Sequence, residues 1–288
     1  MREHESGWAR RDALRDRARV ARERARARRR RTRTLGIASV VVGGLAVAAV
    51  VAVSVAGSEQ PSGPGPRNTA SDGVLLRGSR GAIVTVRTPA LPDGGAPIPT
   101  AQDPATTDIT VYADYLCPYC NQFEADQMPQ IRQWVRDGTA TLELHPIALL
   151  DRMSRGSDYS TRSAAAAACV ADHDPDAFLA FDTSLRAHQP SEGTRGLTDD
   201  RLVALAEQAG ATDDDVAGCI TRRDFAGWVA DATERAVHDA VPNSSLRGIT
   251  STPTVIVDGA QYDGSLTDAA AFAAFARQHG DGHGHGSS

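Results

Sequence analysis

The pattern of apolar and polar positions changes character several times along the chain, and each change predicts an element. Gly73 to Arg77 and Ala82 to Arg87 alternate over short runs around Gly78-Ser79-Arg80-Gly81, which predicts a hairpin. Asp108 to Ala113 (D-I-T-V-Y-A) is a β-branched strand pattern. Phe123, Gln127, Ile131 and Trp134 then recur at three- and four-residue spacing with Val135 beside them, and Asp137-Gly138 closes that helix. Thr139 to Pro146 alternates again. Strand, helix, strand in this order predicts a βαβ unit.

From about residue 157 the period becomes helical. Tyr159 to Ala171, Pro175 to Ala187, Asp199 to Ala209 after an N-cap at Thr198, a short segment capped by Thr212, and Asp224 to Ala240 follow one another. The chain then returns to β: Thr254 to Val257 is a buried-type strand, and Asp258-Gly259 turns into Ala260-Gln261-Tyr262. Ser265-Leu266-Thr267-Asp268 has the spacing of a capping box for a last helix reaching about His279.

The N-terminal portion departs from this globular pattern. Residues 1–33 hold 14 Arg and 5 acidic residues, a charge of +9 that leaves −14 for the remainder of a chain whose total is −5. All 31 basic residues are Arg. Thr34 to Ser58 then runs 25 residues without a charge. As a helix its apolar core would span roughly 34 Å at about 1.5 Å per residue, enough to cross a bilayer. The basic flank predicts a cytoplasmic N-terminus and places residues 59–288 outside. A cleaved signal peptide ending near Ser54-Val55-Ala56 is the alternative; the long apolar region and long charged preface favour an uncleaved anchor. The Arg-rich segment reads as a topology signal, and nothing beside it supports nucleic-acid binding.

Chemistry concentrates at Asp114-Tyr115-Leu116-Cys117-Pro118-Tyr119-Cys120, a CxxC pair between a strand and a helix. Cys117 falls at the N-cap, where free amides and the helix dipole favour thiolate over thiol. Pro118 suits the first helical position. Cys120, one turn on, is expected to be more buried and to act as the resolving thiol. Such a pair can pass a disulfide to another protein. Half a zinc site is the alternative, but Cys169 and Cys219 do not supply a second CxxC.

The phrase D-Y-L-C-P-Y-C-N-Q-F-E (114–124), together with G-I-T-S-T-P-T-V-I-V-D-G (248–259), resembles the DsbA-like family of thioredoxin-fold thiol–disulfide oxidoreductases. The likeness covers roughly residues 74–279. It implies a cis peptide bond at Thr252-Pro253 beside the CxxC, with the Thr252 backbone offered to a substrate chain. It also implies a membrane partner that reoxidises the dithiol, a DsbB-like or vitamin K epoxide reductase-like quinone enzyme. Two positions depart from the family pattern. Relatives often carry Glu six residues before the first Cys, where Val111 stands here; Asp114 is the nearest acid. Tyr119 replaces the His of the family's strongest oxidants, which implies a less oxidising couple.

Cys169 and Cys219 lie on predicted helical faces. Outside the membrane an even cysteine count favours a structural disulfide between them, with two buried free thiols as the alternative. Trp134 and Trp228 read as core aromatics, His145 as a strand-end residue rather than a base, and Asp213-Asp214-Asp215 as a helix N-terminus rather than a calcium loop.

The sequence thus predicts an α/β thioredoxin-like fold with an inserted α-helical domain, preceded by a single N-terminal transmembrane helix. The expected boundaries are an Arg-rich segment at 1–33, the anchor at 34–58, a flexible linker at 59–72 and the first thioredoxin-like part at 73–150. The inserted helices follow at 151–245, the second thioredoxin-like part at 246–279 and a disordered tail at 280–288. The expected activity is extracytoplasmic oxidation of cysteine pairs in exported proteins by Cys117-Cys120, the only redox group needed, with no metal or organic cofactor. A reductase or isomerase, for example one serving cytochrome c maturation, and a non-catalytic peptide-binding module are the alternatives.

Overall fold

The structure, a computed structural model, describes residues 63–280. The expected membrane span at 34–58, the Arg-rich segment and most of the tail lie outside the described residues. Among the described residues no helix is long and apolar enough to cross a membrane.

The first hairpin is β1 (Val74–Ser79) and β2 (Ala82–Thr85), paired through Ser79↔Ala82. Arg80 and Gly81 between them both take positive φ (52° and 80°), the conformation whose twist matches a two-residue hairpin. After an irregular stretch come β3 (Thr107–Ala113), α1 (Pro118–Asp126), α2 (Met128–Arg136) and β4 (Ala140–Pro146). β3 and β4 are parallel, in register from Thr107↔Ala140 to Ala113↔Pro146, so the helices between them form the expected crossover. The single helix predicted here is in fact two. Pro129 has no N–H to offer Ala125, and the chain restarts at Gln127, whose side chain is buried and donates to the Leu266 carbonyl at 2.8 Å.

Five helices follow: α3 (Tyr159–His173), α4 (Phe178–Ala187), α5 (Asp199–Gln208), α6 (Asp214–Arg222) and α7 (Ala226–His238). Thr198 caps α5 by accepting from the Arg201 amide. The cap of α6 is Asp213, which accepts from the Asp215 amide at 2.9 Å, not the expected Thr212. The carboxylate at the position next to the helix serves as the acceptor. Cys169 of α3 and Cys219 of α6 are joined in a disulfide, both fully buried.

The chain re-enters the sheet as β5 (Thr254–Val257) and β6 (Ala260–Gln261), turning at Asp258 and Gly259, both at positive φ. It ends in α8 (Ala269–Gly280). Asp268 caps α8 through the Ala271 amide at 2.9 Å, so the helix opens later than a box at Ser265 implied; Ser265 instead accepts from the Thr267 amide. The sheet order is β2-β1-β4-β3-β5-β6, with β5 antiparallel to β3.

One further expectation is corrected. Residues 63–72, assigned to a flexible linker, are packed. Asn68, Thr69 and Asp72 are buried, the Asn68 amide donates to the Ala171 carbonyl at 2.8 Å, and Asp72 pairs with Arg235 at 2.7 Å. Asn68 and Asp72 thus find partners on α3 and α7, which composition alone does not reveal. The helices of 151–245 also share one apolar core with the sheet. Phe123 and Leu142 belong to the same buried cluster as Phe178, Phe181 and Leu202. Trp134 stacks on Phe272 at 6.1 Å and Trp228 is buried, both as core aromatics. His145 is buried, stacks on Tyr112 at 4.2 Å and lies 3.7 Å from Glu143.

Candidate active site

Antiparallel pairing of Tyr112 with Thr254 lays the start of β5 beside the end of β3. Residues 252–253 therefore meet residues 114–117, although about 135 positions separate them in the chain. The Thr252-Pro253 peptide bond is cis, and the Cys117 thiol donates to the Thr252 carbonyl at 3.3 Å.

Cys117 has extended backbone angles (φ −76°, ψ 116°) and is the N-cap of α1, with Pro118 opening the helix. Its carbonyl accepts from the Cys120 and Asn121 amides. Both Cys117 and Cys120 are free, buried thiols, and Cys120 is the more buried of the two, as expected. Their electrostatics carry the same asymmetry. The Cys120 thiol hydrogen-bonds the Cys117 sulfur and brings its pKa down to about 7. Burial opposes this, the Thr252 side chain and the Cys120 amide assist it, and the Asp114 carboxyl opposes it. Burial pushes the Cys120 thiol well up, with the neighbouring Cys117 adding to the effect. One thiol is thus poised to ionise and the other to stay protonated. Tyr119, between them, is 65 % exposed and leaves the dithiol without a cation at that position.

Only thiolate is alkylated, so the reaction of reduced protein with iodoacetamide is expected to rise with pH, half-maximal near about 7, at Cys117 alone. Peptide mapping across a pH series reads this directly. A midpoint near the unperturbed ~8.5 would count against the site as described.

Asp114, read from sequence as a nearby acid, is fully buried. One carboxyl oxygen accepts from the Leu116 amide (2.8 Å) and the Ser160 hydroxyl (2.7 Å); the other accepts from the Leu149 and Leu150 amides (2.8 and 2.9 Å). Asp114 thereby ties the CxxC turn to α3 and to the chain leaving β4. Burial raises its pKa to about 6 in spite of these donors. Val111 is buried in the strand core and carries no proton.

Sequence reasoning missed two residues, one in the last turn of α4 and one just beyond it. The Gln189 amide donates to the carbonyls of Tyr115 (3.0 Å) and Cys117 (2.9 Å), clamping the turn before α1. Arg186 is 4 % exposed, lies 3.3 Å from Asp182 and stacks on the Tyr115 ring at 4.8 Å. The i,i+4 spacing of Asp182 and Arg186 was legible, but such a pair ordinarily reads as a solvated helix surface. No local signal marks Gln189.

A family model described as Thioredoxin matches residues 102–275. Among curated proteins the chain is similar to the serine/threonine-protein kinase PknE of Mycobacterium tuberculosis, 33% identical over 111 residues. That similarity takes in 37% of this chain and 20% of the kinase, so the chain spans about a fifth of that relative's length. Among solved structures it is similar to the reduced disulfide bond oxidoreductase DsbG of M. tuberculosis, with 30% identity and a TM-score of 0.50, covering 62% of this chain and 82% of that one. It is also similar to reduced DsbA of M. tuberculosis, with 27% identity and a TM-score of 0.54, covering 74% and 97%.

Proposed function

The chain belongs to the thioredoxin family, and from the placement of its two free thiols we propose that it is a thiol–disulfide oxidoreductase working through Cys117 and Cys120. The observation that carries this reading is the pair itself: an N-cap thiol of pKa about 7 beside a buried thiol held protonated. In the oxidised protein a substrate thiolate attacks the Cys117 sulfur. A mixed disulfide forms, and the electron pair of the Cys117–Cys120 bond passes to Cys120. The substrate's second thiolate then attacks the substrate sulfur of the mixed disulfide, and Cys117 leaves as a thiolate. The substrate keeps the disulfide and the protein is left reduced. The Thr252 backbone beside the dithiol offers an edge on which an extended substrate segment can lie.

Cys120→Ala tests this. The variant keeps the nucleophile but not the resolving thiol, so mixed disulfides through Cys117 are expected to accumulate in cells. Their partners, identified after non-reducing separation, are expected to be exported cysteine-containing proteins. A variant that traps nothing, while its Cys117 still alkylates, would refute the reading.

The finer assignment has the dithiol as its sole redox group, an anchor at 34–58 and an extracytoplasmic catalytic region. A membrane quinone-linked enzyme of DsbB-like or vitamin K epoxide reductase-like type reoxidises it. The charge-free run after the Arg-rich segment supports the anchor, and the Cys169–Cys219 disulfide fits an oxidising compartment. Tyr119 in place of a cation, and a Cys117 pKa no lower than about 7, favour a moderate oxidant. Equilibration with glutathione buffers is expected to give a potential below that of strong oxidants, near −120 mV on the scale where thioredoxin lies at about −270 mV. A value at the strongly oxidising end would exclude this. A mostly reduced dithiol in cells would favour the reductase or isomerase reading instead.

A further inference from the structure

Beside the dithiol lies a buried charge cluster that the exchange steps above do not use. The Arg186 guanidinium is 3.3 Å from Asp182 on its own helix α4 and 3.6 Å from Glu124 on α1. It stacks on Tyr115, whose hydroxyl donates to Asp182 at 2.9 Å. Glu124 also pairs with Arg132. Arg186 Nη1 and Asp182 Oδ2 are buried without hydrogen-bond partners. A buried ion pair is often no better for stability than apolar side chains of the same volume, so folding alone does not account for this arrangement. Its position does offer an account. Cys120 and Glu124 stand four residues apart on one face of α1, Arg186 contacts Glu124, and Arg186 and Cys120 are near enough to interact electrostatically.

We propose that Arg186 is a positioning residue for disulfide exchange: its permanent charge, held beside Cys120 by Asp182, Glu124 and Tyr115, stabilises the thiolate that leaves when the Cys117–Cys120 bond breaks. This rests on the function proposed above. In that step the attacking thiolate forms a bond to the Cys117 sulfur, the Cys117–Cys120 bond breaks, and its electron pair remains on Cys120 in a buried site. Burial disfavours that charge and Arg186 favours it, while Cys117, by then bonded to the attacking sulfur, carries no charge to oppose it. A leaving thiol departs faster as its pKa falls. Arginine suits the role because it stays charged when buried, and Asp182 and Glu124 keep it in place. Those two anions and Arg132 are the charged groups facing it, together with the Tyr115 ring.

The test is the second-order rate constant of the oxidised full chain with reduced glutathione, followed by rapid acid quench. Arg186→Met is expected to slow this reaction about three- to tenfold. Arg186→Lys, which keeps a cation, is expected to recover most of the rate. Glu124→Gln keeps a side-chain oxygen that can still hold Arg186 but removes the anion that offsets its charge, and is expected to accelerate the reaction, an effect opposite in sign to that of a variant that merely loosens the fold. In a Cys117→Ser background, the Cys120 thiolate absorbance is expected to appear at higher pH when Arg186→Met is added. A rate for Arg186→Met within twofold of wild type, or slowing by Glu124→Gln, would overturn the proposal. If Arg186→Met does not fold, the sign of the Glu124→Gln effect decides. A wild-type disulfide inert to glutathione removes the proposed function and this inference with it, whereas a reactive wild type with unresponsive variants removes the inference alone.

Discussion

Cys117→Ser is expected to reduce disulfide transfer to the uncatalysed background, a loss on the order of 10³-fold or more. Serine keeps the size and the N-cap placement of the side chain, so the fold is expected to persist and circular dichroism should be unchanged. What disappears is the sulfur that a substrate thiolate attacks and the group that ionises near pH 7. A hydroxyl neither forms the mixed disulfide nor leaves as a stable anion at neutral pH. Cys120 cannot substitute, because it is 2 % exposed and its pKa is pushed well up by burial. The measurement is oxidation of a reduced two-cysteine peptide by catalytic amounts of protein in a glutathione redox buffer. The contrast with Cys120→Ala is diagnostic: both variants lose turnover, but only Cys120→Ala, mixed with the oxidised peptide, still captures it, because its Cys117 thiolate attacks the peptide disulfide, one peptide sulfur leaves as thiolate, and no Cys120 thiol releases the mixed disulfide. A module that merely docks peptides along the Thr252 edge would tolerate Cys117→Ser without loss, so retention of cellular function by that variant would favour the binding reading.

The second large effect concerns stability. Replacing both Cys169 and Cys219 by Ala is expected to destabilise the protein by about 4 kcal/mol, the loop-closure value for a 50-residue separation. That is a large share of the ~5–15 kcal/mol that usually separates folded from unfolded domains. The bridge fastens α3 to α6. Both sulfurs are fully buried in the core that also receives Phe178, Leu202 and Ile220. Alanine leaves small voids there as well as a longer free chain in the unfolded state. Urea unfolding at matched pH reads the difference, and a loss below about 1 kcal/mol would show that the helices hold α6 without the bridge. Buried sulfurs also predict selectivity: mild reductant should open Cys117–Cys120 while leaving Cys169–Cys219 closed, since reduction of the latter requires opening of the helical core.

Legibility in the sequence followed the range of the interactions involved. β3 and β5 were visible because their β-branched runs are local patterns, and β4 because its alternation is one too. The turns at Arg80-Gly81 and Asp258-Gly259 were visible because only certain residues take positive φ cheaply. The helix over 118–136 was read as continuous because its apolar spacing runs through Gln127. The break there is set by Pro129 and by a side-chain bond from Gln127 to Leu266, 139 residues away. Residues 63–72 looked like linker because their composition is that of a linker, and they are ordered by partners on α3 and α7.

The dithiol shows the same division within one site. The sequence by itself determined that Cys117 stands at a helix N-cap with Cys120 one turn on, because strand, proline and helix signals lie within a few residues of one another. It also determined that Thr252-Pro253 opens the strand at which the family resemblance places the cis bond. The tertiary structure decided that Asp114 accepts from four donors rather than being a loose strand end, and that Gln189 and Arg186 close over the turn from the helical side. Those outcomes depend on which face of α4 meets α1. Local pattern can mark a face as apolar, but it cannot name the face it will meet. The electrostatics of a buried sulfur are set by charges brought to it across the fold.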